Sequence, residues 1–130
     1  MRHMLIYKPY RSSLAKLRLS AHSLHIETGR YVKKEEKLTP ENRKCKLCTA
    51  NTCENEYHFI MQCNLYKKER TELFKKTKEL FPHTNDYSEI TLYKWLMSSL
   101  DENIMLHLGK YTYACFMIRS KSLSSTALLQ

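Results

Sequence analysis

Glycine and proline are scarce in this chain, with two and three copies among 130 residues. That scarcity excludes collagen-like and low-complexity structure and favours helices, which both residue types interrupt. Long apolar runs are missing too. No stretch of about 18 uncharged apolar residues occurs, and the apolar run within MRHMLIYKPYR is too short for a signal-peptide core. The expected setting is intracellular, nuclear or cytoplasmic, with no membrane partner and with the cysteines reduced. Five cysteines, an odd number, fit a disulfide framework poorly. A carboxylate pair, a nucleophile triad and a glycine-rich phosphate loop are also lacking, so no enzyme is expected. The length suits one modest domain.

Positive charge is abundant and unevenly placed. Residues 1–46 hold twelve lysines and arginines against four glutamates, a net +8, while ten bases and nine acids leave +1 for the other 84 residues. A field concentrated on one segment is what a polyanion-facing surface requires, although a solvated basic face without a partner has the same composition.

Apolar periodicity predicts a mostly α fold. In SSLAKLRLSAHSLH, residues 12–25, Leu14, Leu17, Ala21 and Leu24 recur at helical spacing, with Ser12 or Ser13 as N-cap and Lys16 and Arg18 turned outward. The stretch ETGRYVKKEEKLTPENRK, with Gly29 and Pro40, reads as a turn and charged connector. Past Cys63 a second stripe runs through Leu65, Tyr66, Leu73, Phe74, Thr77, Leu80 and Phe81 up to Pro82. A third carries Ile90, Tyr93, Trp95, Leu96, Met97 and Leu100. The fourth carries Ile104, Leu108, Tyr111, Cys115 and Ile118, with Ser99 and Glu102 spaced as a capping box. The expected organisation is a basic amphipathic helix and connector over 1–42, a zinc-knuckle-like segment over 43–66, a bundle of about three helices over 67–120 and a flexible tail over 121–130.

Four of the five cysteines and one histidine crowd into CKLCTANTCENEYHFIMQC, residues 45–63. Cys45-x2-Cys48 brings two sulfurs to one centre, and His58-x4-Cys63 supplies a second pair, straddling YHFIMQ, where a short helix would turn both side chains inward. Three thiolates and an imidazole fill a tetrahedral zinc shell with no open position, which implies a structural site. Lys44 and Lys46 flank the first pair, and their charge favours the thiolates that Zn2+ requires. Cys53 makes a fifth candidate, so Cys45, Cys48, Cys53 and His58 form a nested alternative that would leave Cys63 free. A redox role for CxxC would need the α/β context that is absent here.

The cysteine segment resembles the C-terminal zinc-binding (CCHC-like) region of non-LTR retrotransposon (LINE-type) reverse transcriptase polyproteins. In that family Cys-x2-Cys is followed by an acidic stretch and His-x4-Cys, matched here by CKLC, CENE and YHFIMQC. LRLSAHSLHIETGRY is similar to the family's arginine- and leucine-rich lead-in, and together the match spans about residues 11–70. The resemblance implies metal-ligand roles for Cys45, Cys48, His58 and Cys63. It places Cys53 among non-ligand loop residues and puts Glu56 at the acidic position two before the histidine. Reverse transcription needs clustered carboxylates, usually an adjacent aspartate pair, and this chain has only the isolated Asp86 and Asp101. The family's polymerase and endonuclease activities are therefore not expected here.

The function expected is a non-catalytic, zinc-dependent nucleic-acid-binding module taking RNA or DNA. Lys16, Arg18, Arg30, Lys33, Lys34, Arg43, Lys44 and Lys46 are the candidate phosphate contacts, with Tyr31 and Tyr57 available to stack on bases. The alternatives are a zinc-stabilised protein-interaction module, binding other segments of a retrotransposon polyprotein or a host partner, and a fragment without selected activity.

Overall fold

The computed structural model describes residues 7–20, 22, 24, 43–48, 50 and 52–129, the last five as backbone only. The described residues are mostly helical. Helix α1 spans Lys8–Arg18, a π-helical turn His58–Gln62, a 3-10 turn Asn64–Tyr66 and helix α2 Lys67–Leu80. A second 3-10 turn, Pro82–Asp86, leads to helix α3, Glu89–Ser98, and helix α4, Glu102–Leu129. Among them the only pairing of β type is one isolated antiparallel bridge, Lys44 with Cys53. None of the described helices is long and apolar enough to cross a membrane.

Helix α1 begins four residues before Ser12, and neither Ser12 nor Ser13 caps it. Pro9 stands in its first turn, where its fixed φ suits the helix and its missing N–H is no loss. The helix ends early as well, at Leu19, because Ser20 takes a left-handed backbone with φ 57°. Leu24 still reaches the core, fully buried, but from a bend and not from a helical face. Leu14 and Leu17 are buried beside it. Each such leucine contributes roughly 1.5–3 kcal/mol of transfer free energy.

Helix α1 lies against α4, and Gly109 permits their close approach. A Cβ on Gly109 would stand 2.8 Å from the backbone oxygen of Tyr10, inside any normal contact distance. The aromatic rings of Tyr10 and Tyr113 meet across the same seam, 5.6 Å apart. Arg18 closes the far end of α1. Its guanidinium donates to the carbonyls of Leu96 and Ser99, each at 2.9 Å, so this side chain faces the protein, contrary to the outward orientation expected from the stripe.

The C-terminal helices α2, α3 and α4 occupy the stretches expected for them. Helix α2 buries Leu73 and Thr77 and stops at Phe81, whose φ of −135° and ψ of 78° are the extended geometry that a following proline enforces. On α3 the buried positions are Leu92 and Leu96 and Ile90 is exposed, as is Leu100 just past the helix end. Ser88 caps α3 by accepting from Thr91 N–H. For α4 the cap is Asp101 and not the Ser99–Glu102 box. Its Oδ1 accepts from Asn103 N–H at 2.9 Å and Ile104 N–H at 3.1 Å, since a carboxylate already at the N-cap position outcompetes a hydroxyl two residues earlier. Ser99 instead accepts from Asp101 N–H. Ile104, Leu108, Tyr111 and Cys115 are buried along α4, whose backbone stays helical through the 121–129 stretch expected as tail.

Candidate metal centre

The site begins where the chain pairs with itself. Residues 43–45 and 52–54 run antiparallel: Cys45 N–H donates to Thr52 O at 2.9 Å, and Glu54 N–H to Arg43 O at 2.8 Å. Side chains alternate across such a ribbon. Thr52 Oγ1 lies 3.0 Å from His58 Nδ1 and Glu54 Oε2 lies 3.9 Å from Cys45 Sγ, so positions 52 and 54 face the cluster. Cys53, between them, belongs to the opposite side.

The second ligand pair owes its placement to the π turn. In an α-helix two residues five apart stand about 140° apart around the axis, too far to share a ligand. The wider turn over His58–Gln62 brings Cys63 N–H onto His58 O at 2.8 Å, which draws the two side chains toward one side. Asn55 starts the turn, its Oδ1 accepting from His58 N–H at 2.9 Å. The backbone oxygens it leaves over are collected by neighbouring helices. Tyr111 of α4 donates its hydroxyl to Phe59 O at 2.6 Å, and Arg70 of α2 donates to Ile60 O at 2.8 Å and to Cys63 O. A buried carbonyl left without such a donor costs about 1–3 kcal/mol, so the bundle holds the turn in its unusual form.

Four donors converge there. One ligand atom each from Cys45, Cys48, His58 and Cys63 lies within 4.8 Å of all the others. The Sγ atoms of Cys45 and Cys63 are 3.9 Å apart, and Cys48 Sγ is 3.4 Å from His58 Nε2. A tetrahedral zinc-sized ion with metal–sulfur bonds of about 2.3 Å spaces its sulfurs by about 3.8 Å. The cluster therefore already has the dimensions of a coordination shell, and its Cys3His composition suits a metal ion. These are the donors preferred from the spacing, and the nested set containing Cys53 is not the one assembled.

The chemistry of the thiols points the same way. The contact with Cys63, against the opposing effect of burial, holds the Cys45 thiol below the usual thiol range. The Cys63 thiol is pushed up by the same contact and by burial. Two thiolates this close repel each other, and a divalent cation between them would remove that repulsion. His58 Nε2 is turned to the centre, and with a cation bound there Nδ1 would carry the proton and donate to Thr52 Oγ1, 3.0 Å away, fixing the ring orientation.

Two contacts lie beyond the ligands, the first of them not foreseen from the sequence. Arg119 of α4 clamps Glu54 from both sides, Nε to Oε2 at 2.9 Å and a terminal nitrogen to Oε1 at 2.8 Å, and both side chains are buried. Burial works against the Arg119 charge, but the Glu54 hydrogen bond and the nearby Cys45 hold its pKa above the usual guanidinium value. Three thiolates around a divalent ion leave surplus negative charge, and this cation lies beside it. The available signal was a charged residue continuing the Leu108, Tyr111, Cys115 stripe by one more turn. The second contact is Glu56, whose Oε1 accepts from Ser20 Oγ at 3.0 Å and lies 2.8 Å from His22 Nε2. It ties the segment leaving α1 to the cysteine segment.

The candidate phosphate contacts are scattered in character. Lys16 and Lys46 are exposed, Lys44 is half-buried and Arg43 is buried. Arg18 is engaged with the carbonyls at the end of α3. Arg30, Lys33, Lys34 and Tyr31 lie outside the described residues. Tyr57 donates its hydroxyl to Glu89 at 3.2 Å and packs edge-on against Tyr93. Compared with models of known protein families, with curated proteins and with solved structures, the chain finds no match.

Proposed function

We propose that the chain is a zinc-dependent, non-catalytic nucleic-acid-binding module of the kind found at the C-terminal end of LINE-type reverse transcriptase polyproteins. The convergence of Cys45, Cys48, His58 and Cys63 on one centre carries this reading. Four protein ligands close a zinc shell, which leaves the ion a structural role. The contact of Ser20 and His22 with Glu56 adds support, because it joins residues of the lead-in to the cysteine motif that accompanies it in the resemblance. The net +8 of residues 1–46 supplies the attraction for RNA or DNA. Thiolate ligation suits a reducing intracellular compartment, nuclear or cytoplasmic.

A second reading has its own observation. Leu19 and Leu100 are 77% and 82% exposed and flank the Arg18–Ser99 contact. Apolar side chains this exposed suit a protein partner, such as another segment of the same polyprotein.

Metal content tests the zinc common to both readings, and salt dependence decides between them. The purified protein is expected to hold one zinc per chain and to bind polynucleotide with an affinity that falls steeply as salt rises. Charge reversal at Lys33, Lys34, Lys44 and Lys46 should abolish that binding and leave a protein interface intact. Structural zinc contributes on the order of 10 kcal/mol in finger peptides, so a strong chelator should loosen residues 43–66 before the C-terminal helices. Thermal unfolding that is identical with and without chelator, or polynucleotide affinity indifferent to salt, would sink the proposal.

A further inference from the structure

Helix α2 carries a charge pattern that the even balance of the C-terminal region conceals. At about 100° per residue, Lys67, Lys68, Thr71, Lys75 and Lys78 fall within one face about 100° wide. All five are exposed, and among the described residues none of these lysines is in an ion pair. Leu73 and Thr77 face the core on one side of it. The acids Glu72 and Glu79 lie on the other, where Glu79 pairs with Lys76 at 3.9 Å. The lysine face extends about 16 Å along the helix.

An aromatic cluster begins one turn beyond Lys78. Phe81 packs edge-on against Trp95 at 5.2 Å, and His83 meets Trp95 at 5.8 Å and Tyr87 at 5.5 Å. His83 is exposed and the other three rings are half-exposed. Exposed lysines along α2 and half-exposed rings just past its C-terminal end supply the two elements that bind unpaired strands, charge for the backbone and a π-surface for bases. Duplex DNA or RNA would meet the lysines but keep its bases from the rings.

We propose that single-stranded nucleic acid follows the lysine face of α2, through Lys68, Lys75 and Lys78, and stacks a base on the Trp95 cluster. This surface lies outside the basic segment that precedes the cysteines, and its assignment rests on the nucleic-acid-binding function proposed above. Backbone contacts along α2 set affinity without reading sequence.

Trp95 is the chain's one tryptophan, so its fluorescence reports on the cluster directly. The zinc-loaded protein is titrated with fluorescein-labelled oligo(dT), oligo(U) and a duplex of equal length, with label anisotropy and Trp95 emission followed at several salt concentrations. Saturable quenching of Trp95 that tracks anisotropy is expected with the single strands and not with the duplex. Replacing Lys67, Lys68, Lys75 and Lys78 by Glu should weaken single-strand binding by at least about tenfold and remove about 0.7 from the salt slope per lysine. The same four positions changed to Gln guard against misfolding, and unchanged circular dichroism and zinc content qualify either variant. Absence of binding by the parent protein would defeat the function proposed above. Parent binding with unchanged Trp95 emission, or with a salt slope that both variants retain, would overturn the α2 surface alone.

Discussion

Replacing Arg119 by Met should cost the protein about 3–5 kcal/mol, because it takes the guanidinium out of a buried ion pair. The size follows from where Glu54 sits. Its side chain is only 3% exposed, both oxygens are held by the guanidinium, and Oε2 is 3.9 Å from Cys45 Sγ. Without Arg119 a buried carboxylate faces a thiolate, with little water to screen the repulsion. Met keeps most of the side-chain volume, so the loss reports charge more than a cavity. The companion variant Glu54→Gln breaks the pair from its other end, and the double variant removes both charges. If the pair acts as described, the double variant is more stable than the sum of the two single losses allows. Urea unfolding of the zinc-loaded proteins gives the cycle, and competition with a zinc indicator gives the matching affinities. Arg119→Met should also release zinc more readily than the parent. A single-variant loss below about 1 kcal/mol would refute the account, placing the pair in the range of ordinary surface bridges.

Two further outcomes test the site and the helix seam. Cys53→Ser should retain a full equivalent of zinc and near-parental melting, whereas Cys63→Ser should lose the metal and the order of residues 43–66; both are read by metal content and amide exchange. Gly109→Ala, normally a gain of about 1 kcal/mol in a helix interior, should instead cost about 1–3 kcal/mol by overpacking against Tyr10 O, measured by denaturant unfolding.

Some of this architecture was legible because it is written in short-range pattern. The recurrence of Ile104, Leu108, Tyr111 and Cys115 every three or four residues is enough to specify a helix and its buried face. Cys-x2-Cys and His-x4-Cys likewise announce paired ligands at local spacing. Helix ends were less legible. Helix α1 starts at Lys8, ahead of the serines expected to cap it, with Pro9 in its first turn, and on α4 Asp101 took the cap from Ser99, since several residues near a helix end can satisfy the same N–H groups.

What the amino-acid order by itself determined was the helical class, the stripes that meet in the core and the ligand types gathered within residues 45–63. Only the tertiary structure decided which four of those five donors share a centre. That choice depends on the ribbon turning Cys53 away and on a π turn held by Arg70 and by Tyr111, the latter from 52 residues along the chain. It also decided that Arg18 and Arg119 serve the interior. A charged side chain gives no local sign of whether water or a distant buried acceptor will satisfy it.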